Sequence, residues 1–311
     1  MISKTSSDKL DLLCIGEAMA ELRDGAAAGL TGDFKVGFAG DTYNTAVYCK
    51  RQMGDSGKVG YFTRVGQDPL SVEFVVRVKE EGIDPSYITT DKQQLIGIYS
   101  VVTDKDGERS FSYWRHSSAA RQLFSHDEAI RSLPPARIYY LSGITLAILD
   151  PAARRRVMDH LAEVTKTTDT LVAFDSNYRP KLWESKAVAK EVMDEMWEIA
   201  DIGFPSIDDE LLLYGDTNEE ALLDRFAKFN WKAFALKRGA RGPVSLSLSG
   251  DELPVFPPAP KVLDTTAAGD SFNGGYFAAY LQGEDEATCL LRGHEVASRV
   301  ITQPGAIVSG E

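Results

Sequence analysis

The sequence predicts an α/β protein: a central, mainly parallel sheet covered by helices, plus a small separate β layer that serves as a lid. Two patterns point there. From residue 136 onward, apolar runs at 138–141, 171–174, 202–204 and 233–236 alternate with helical segments. Such alternation needs crossover helices between parallel strands, with helices on both faces. Earlier, two β-rich runs at 98–103 and 109–115 flank the turn Asp104-Lys105-Asp106-Gly107. A hairpin of that kind does not belong inside a parallel sheet.

Taken in order, the elements are these. Residues 1–9 are polar and predict a disordered lead, not a secretory signal. The run 12–15, ending in Gly16-Glu17, reads as a buried strand, and the Ala/Gly-rich stretch 25–32 as a mobile loop. A helix starts near Asp41, carries Tyr43, Ala46, Val47 and Met53, and is closed by Gly54. Asp68-Pro69, then 70–81 and Gly82, give an acidic cap, proline at the first helical position and a terminating glycine. Asp150-Pro151 opens another helix, Ser185 a further one, and Thr217-x-x-Glu220 reads as a capping box. The run Arg154-Arg155-Arg156 falls in a helix and reads as a solvated face. No repeat, low-complexity tract or linker divides the chain, so one domain over 10–311 is expected, its lid formed by segments near 17–39 and 95–116.

Composition narrows the function. A net charge of -12 argues against a nucleic-acid binder and means that an anionic substrate must be met by locally placed Arg or Lys. Three widely spaced cysteines fit reduced thiols, and four histidines show no metal-ligand spacing. No apolar run approaches membrane-spanning length, and the expectation is a cytoplasmic protein with no membrane partner.

The carboxyl ends of the later strands carry Ser142-Gly143, Asp175-Ser176-Asn177, Pro205-Ser206 and Lys237-Arg238-Gly239, which marks one edge of the sheet as the active face. The segment Asp264-Thr265-Thr266-Ala267-Ala268-Gly269-Asp270 places small residues and a carboxylate where a loop enters a helix. Backbone N–H groups there can face a phosphate, aided by the helix N-terminus. Asp270 is placed to take a proton from an attacking hydroxyl. The plain alternative is an Asp helix cap after a glycine turn. No Walker A sequence is present.

These residues resemble a known family. Gly40-Asp41-Thr42-Tyr43-Asn44 resembles the first signature of the ribokinase-like (PfkB) sugar kinases, and 264–270 the second. Tyr113-Trp114-Arg115, Tyr140-Leu141-Ser142-Gly143-Ile144 and Asn177-Tyr178-Arg179-Pro180-Lys181-Leu182-Trp183 are similar to the branch acting on 2-keto-3-deoxygluconate. Two departures from the broad pattern, Asp41 for the second glycine and Ala267 for the first glycine of G-A-G-D, are features of that branch. The resemblance implies a three-layer ribokinase-like fold and transfer of phosphate from ATP to the C6 hydroxyl of the sugar acid. It implies Asp270 as general base, with amides of Ala267, Ala268, Gly269 and Asp270 around the phosphate. Gly40, Asp41, Asn44, Tyr99, Tyr113, Arg115 and Arg179 would contact the sugar, the two arginines at its carboxylate. Asn177, Lys237, Gly239, Arg241, Gly242, Ala267 and Gly269 would contact the nucleotide, and Glu210 would lie near Mg²⁺, although Ile207 stands where the family's N-x-x-E has Asn. The helix 287–300 and the turn 303–306 would wall the adenine pocket. It implies Mg²⁺ with ATP and allows a monovalent cation such as K⁺. The lid hairpin has open edges and an apolar face that includes Tyr99, Val101, Phe111 and Tyr113, which points to a homodimer that pairs two lids. For the arginines the alternative is a surface ion pair, for the tyrosines packing between lid and core, with Trp114 read as packing. Rival functions are a kinase for fructose or 2-keto-3-deoxygalactonate and a non-catalytic sugar-binding regulator.

Overall fold

Period-two alternation of apolar residues builds the centre of this protein. The computed structural model describes residues 9–24, 34–103 and 109–310; the expected lead at 1–8, the loop at 25–32 and the turn at 104–107 lie outside them. The strands are β1 (Leu10–Ile15), β2 (Met19–Asp24), β3 (Phe34–Ala39), β4 (Val59–Val65), β5 (Ile88–Thr90), β6 (Gly97–Thr103), β7 (Arg109–Trp114), β8 (Ala136–Ser142), β9 (Leu171–Asp175), β10 (Ile202–Gly203) and β11 (Ala233–Phe234). The helices are α1 (Asp41–Met53), α2 (Pro69–Glu80), α3 (Asp127–Arg131), α4 (Gly143–Ile148), α5 (Pro151–Thr167), α6 (Lys186–Ile199), α7 (Ile207–Tyr214), α8 (Glu219–Phe226), α9 (Ala268–Gln282) and α10 (Glu286–Val300).

Seven strands form one parallel sheet in the order β11-β10-β9-β8-β1-β4-β5. Leu13, Ile15, Leu141 and Phe174 point to one face, against Val157 and Leu161 of α5 and Met193 and Trp197 of α6. Leu12, Cys14, Ile138 and Tyr140 point to the other, against Tyr43 and Val47 of α1, Phe74 of α2 and Tyr276 of α9. Each large side chain buried this way contributes roughly 1.5–3 kcal/mol of transfer free energy. The order reverses between β1 and β8, where the chain proceeds outward in opposite directions, and the carboxyl ends on either side leave a crevice.

Helix starts follow local chemistry. Asp68 accepts from the Leu70 and Ser71 amides at 3.1 Å, and Asp150 from those of Ala152 and Ala153 at 2.9 and 3.0 Å. The helix expected to open at Thr217 opens one residue later: Asn218 is the cap, accepting from the Ala221 amide at 2.9 Å. Both residue types cap well, so the pattern alone could not choose between them. The solvated reading of the arginine run fails for Arg154. It is buried, donates to the Leu146 and Leu149 carbonyls and to Glu184, and lies over the Trp183 ring. Its stem and guanidinium close the end of α4.

Helix α9 runs tightly along α1, and a side chain at Gly274 would lie 2.7 Å from the Tyr48 Cβ and 2.8 Å from the Cys49 amide. That approach sets the first turn of α9 beside the first turn of α1. The second sheet, in the order β3-β2-β6-β7, stands apart over the crevice. Its registers pair Glu21 with Tyr99 and Tyr99 with Tyr113, so these residues share the face toward the crevice. Tyr99 and Val101 are buried there with Met19, Ala39 and Ala306, and so are not part of the outward apolar side expected of the lid. Trp114, on the opposite face, is exposed and not packed.

Candidate active site

The lid and the carboxyl ends of the parallel strands enclose a cleft of about 1130 Å³. Asp270 lies on its wall, in the first turn of α9. Ala267, just before it, adopts the left-handed conformation (φ 60°), unusual for a residue with a side chain. No side chain caps this helix end, the Ala268 amide donates to the Thr265 carbonyl at 3.2 Å, and residues 265–270 all line the cleft. Gly269 sits beside Lys237: a Cβ there would be 3.4 Å from the ammonium.

Helix α1 holds the base in place. Asn44 accepts from the Gly40 amide at 3.3 Å and donates to Asp270 Oδ2 at 2.8 Å, while the Thr45 hydroxyl donates to the Asp270 carbonyl at 3.1 Å. Burial first, then the charges of Asp41 and Asp175, push the Asp270 carboxyl up to about 7, against the pull of Asn44 and Lys237. Burial also raises Asp41, whose Oδ2 accepts from Asn177 Nδ2 at 2.9 Å. Asp175 accepts from Asn273 at 2.7 Å, from the Asn177 amide at 3.1 Å and from Lys237, with which it forms an ion pair. Asn177 itself has φ 33°, a conformation asparagine tolerates better than most residues. Asp41, Asp175 and Asp270 thus lie close together beside Lys237 on the cleft wall. A carboxyl raised in this way suits proton exchange with a bound hydroxyl.

Toward the lid, Arg115 is buried on the cleft wall and pairs with Glu17, which also accepts from the Ser118 hydroxyl. The Arg115 Nε is buried with no protein partner. Tyr99 is buried with its hydroxyl on Glu21, and its ring stacks on that of Tyr113 at 5.8 Å between centroids. Arg179 lines the cleft half-exposed, donating to the Tyr178 carbonyl at 2.9 Å and to Asp209 at 3.3 Å.

Gly40, Asp41, Asn44, Tyr99, Tyr113, Arg115, Arg179, Asn177, Lys237, Ala267, Ala268, Gly269 and Asp270 all line the one cleft. Gly239, Arg241 and Gly242 form a turn beyond β11 that is not part of that lining, and Arg241 pairs with Glu219 at 2.6 Å. Glu210 is buried within α7, pairs with Arg225 at 2.9 Å, and is raised to about 7 by burial. Ala306, expected near the adenine, packs under the lid with Met19 and Tyr99. Sequence reasoning missed Glu17, Glu21 and Asp209 as partners of the arginines and tyrosines, and placed Asp175 on the active edge without giving it a role. Glu17 lies at the same kind of position, just after β1, a signal that could have found it. Among the described residues, no group of three or more His, Cys, Asp or Glu could hold a metal ion.

The chain is similar to known proteins over nearly its whole length. A family model described as pfkB family carbohydrate kinase matches residues 9–311. The 2-dehydro-3-deoxygluconokinase of Escherichia coli (strain K12) is 39% identical over 305 residues, covering 96% of each chain. The structure of a PfkB protein from Polaromonas sp. JS666 superposes with a TM-score of 0.79 at 28% identity, covering 96% of this chain and 98% of that one. A fructokinase from Xylella fastidiosa with bound ATP shares the fold at a TM-score of 0.76 and 22% identity, covering 95% of this chain and 93% of that one.

Proposed function

The chain belongs to the pfkB family of carbohydrate kinases, and from that premise we propose that it phosphorylates the C6 hydroxyl of 2-keto-3-deoxy-D-gluconate. ATP is the phosphate donor in this reading, and the product is 2-keto-3-deoxy-6-phosphogluconate. The observation that carries it is Asp270: a buried carboxyl raised to about 7, oriented by Asn44, at the uncapped start of α9. Once ionised, this group accepts the hydroxyl proton as the oxygen bonds to phosphorus and the bond to the leaving diphosphate breaks. An alcohol is far less acidic than a carboxyl, so the proton moves late and Asp270 mainly orients the hydroxyl until then.

Two features of the cleft support a triphosphate there. Small residues at 267–269 leave the backbone open, and Lys237 stands beside Gly269. Lys237 and the helix end would meet the transferring group, with Asn177 on the same wall. Mg²⁺ bound with ATP would neutralise phosphate charge, and a cleft without a carboxylate cage among the described residues suits an ion held largely by the phosphates and water. At the other end Arg115, buried with an unsatisfied Nε, is suited to a carboxylate on the sugar, with Arg179 at the rim. Both arginines also pair with protein carboxylates, Arg115 with Glu17 and Arg179 with Asp209, so the choice of an acid sugar leans on the Escherichia coli relative's name, which supports that substrate class.

A coupled ADP-release assay with 2-keto-3-deoxygluconate, 2-keto-3-deoxygalactonate, fructose and ribose tests the assignment. The highest kcat/KM is expected for 2-keto-3-deoxygluconate. A preference for fructose would overturn the acid-sugar reading. Sugar binding without ADP release would overturn catalysis in favour of a regulator. The outward face of the lid is proposed to pair two copies of the chain, because Phe34 and Val36 on one edge strand and Trp114 on the other are exposed on a sheet with open edges.

A further inference from the structure

One ion pair ties the lid directly to the loop before α9, and it is made by Arg23. It sits on β2 of the lid, and its Nη1 donates to Asp264 Oδ2 at 3.1 Å, in the loop that leads into α9. Its Nε and Nη2 donate to the two oxygens of Glu21, each at 3.2 Å. Glu21 in turn accepts from the Tyr99 hydroxyl. On the other side, Asp264 accepts from the amides of Thr266 and Gly305, each at 2.8 Å. We infer that Arg23 is a positioning residue that latches the lid to the phosphate cradle, so that the tyrosine facing the sugar and the amides facing the phosphate are set by one guanidinium.

Three observations carry this. The guanidinium is planar and its N–H directions are fixed, so a bidentate grip on Glu21 also fixes where its third donor points. Both acids are buried, so solvent screens the contacts little. Burial pushes the Asp264 carboxyl up, yet the hydrogen bonds from Thr266, Gly305 and Arg23 hold it at about 2, so it stays charged throughout the neutral range. The turn that Asp264 fixes is the one that delivers Ala267 in its left-handed conformation and starts α9. A displaced Asp264 therefore moves the amides and Asp270 together. Gly305 carries the same control to Ala306, which packs against Tyr99 and Val101. The inference rests on the kinase reading for what the two ends touch, though the coupling itself is a property of the chain.

The test uses the full chain with Arg23→Ala, Arg23→Lys, Asp264→Asn and the Arg23→Ala/Asp264→Asn double variant. Arg23→Ala and Asp264→Asn should each lower kcat roughly tenfold to 100-fold, the scale of a slight misplacement of reacting groups. KM for ATP should move much less. Lysine cannot reproduce the fork, so Arg23→Lys should recover only part of the loss. The double variant should be no worse than the poorer single one, because both break the same link. Hydrogen exchange gives a readout without turnover: the Thr266 and Gly305 amides should exchange faster in Arg23→Ala, with β1 and β8 unchanged. Kinetics within twofold of the parent, additive losses, or faster exchange throughout the sheet would each overturn the latch. A parent chain that turns over none of the four sugars would sink the kinase reading. Faster exchange at Thr266 in Arg23→Ala would then still uphold the latch, and unchanged exchange would sink it as well.

Discussion

At the scale of single residues, Asp270 sets the strongest constraint. Replacing it by Asn keeps the shape and removes the base, and kcat should fall by at least about 100-fold. The free enzyme's carboxyl titrates near 7, so kcat/KM should rise with pH along an acid limb centred there, and a profile flat from pH 5.5 to 8 would contradict the role. The same shift has an opposite consequence for stability. The folded state holds the Asp270 proton more tightly than the unfolded chain does. Stability from this group is therefore greatest at low pH and is lost as pH rises from the ordinary aspartate range through about 7. At pH 8 the Asn variant should be more stable than the parent by at least about 1 kcal/mol, the worth of one pKa unit, seen as a higher Tm. A dead but stabilised variant would identify a group held charged against the fold's preference. Asp270 and Asn44 were legible in the sequence because their chemistry travels with glycine and small-residue spacing. Glu21 was not, since a carboxylate's partner across a sheet leaves no mark in local spacing, and Glu17, though placed just after β1, gave no hint that Arg115 would be its partner. Their roles exist only once β2 pairs with β6 and Arg115 returns beneath the lid.

At the scale of elements, the turn into α9 shows what local rules determine and where they stop. The strand–helix alternation, the Asp-Pro starts and the extent of α1 and α2 all follow from periodicity and capping. The helix after Thr217 slips by one residue because two adjacent side chains can cap it, and the buried Arg154 escapes notice because a run of like charges usually faces water. Ala267 is a different case: sequence admits a phosphate turn, but only the folded chain shows that an L-residue is held at φ 60° there. Left-handed backbone costs such a residue roughly 1–2 kcal/mol, while glycine carries an entropy penalty of about 0.5–1 kcal/mol. Ala267→Gly should thus leave activity within a few-fold of the parent and raise stability by up to about 1 kcal/mol, measured by thermal unfolding. A large loss of activity with unchanged Tm would mean that the alanine methyl itself contacts substrate.

At the scale of the whole molecule, the order of strands places the crevice at the reversal between β1 and β8, and the second sheet closes it from above. That sheet has two free edges, β3 and β7, and two unlike faces. The inner face is occupied by Tyr99, Glu21 and Arg23. The outer one leaves Phe34 39%, Val36 54% and Trp114 60% exposed, large apolar groups that a solitary four-stranded sheet has no reason to present. Alternation along β6 and β7 places Tyr99, Val101, Phe111 and Tyr113, the apolar face expected to pair two lids, together on the cleft side, with Tyr99 and Val101 buried and Phe111 and Tyr113 42% and 50% exposed. Dimerisation through the outer face would bury the apolar groups and an open edge without touching the cleft. Light scattering at micromolar concentration should give twice the chain mass, and Val36→Asp with Trp114→Asp should give the monomer. Because Tyr113 precedes Trp114 on β7 and Arg115 follows it at the strand's end, the monomer should also show a raised sugar KM with little change in KM for ATP. A parent protein that is monomeric, or a charged variant that stays dimeric, would place any association elsewhere on the surface.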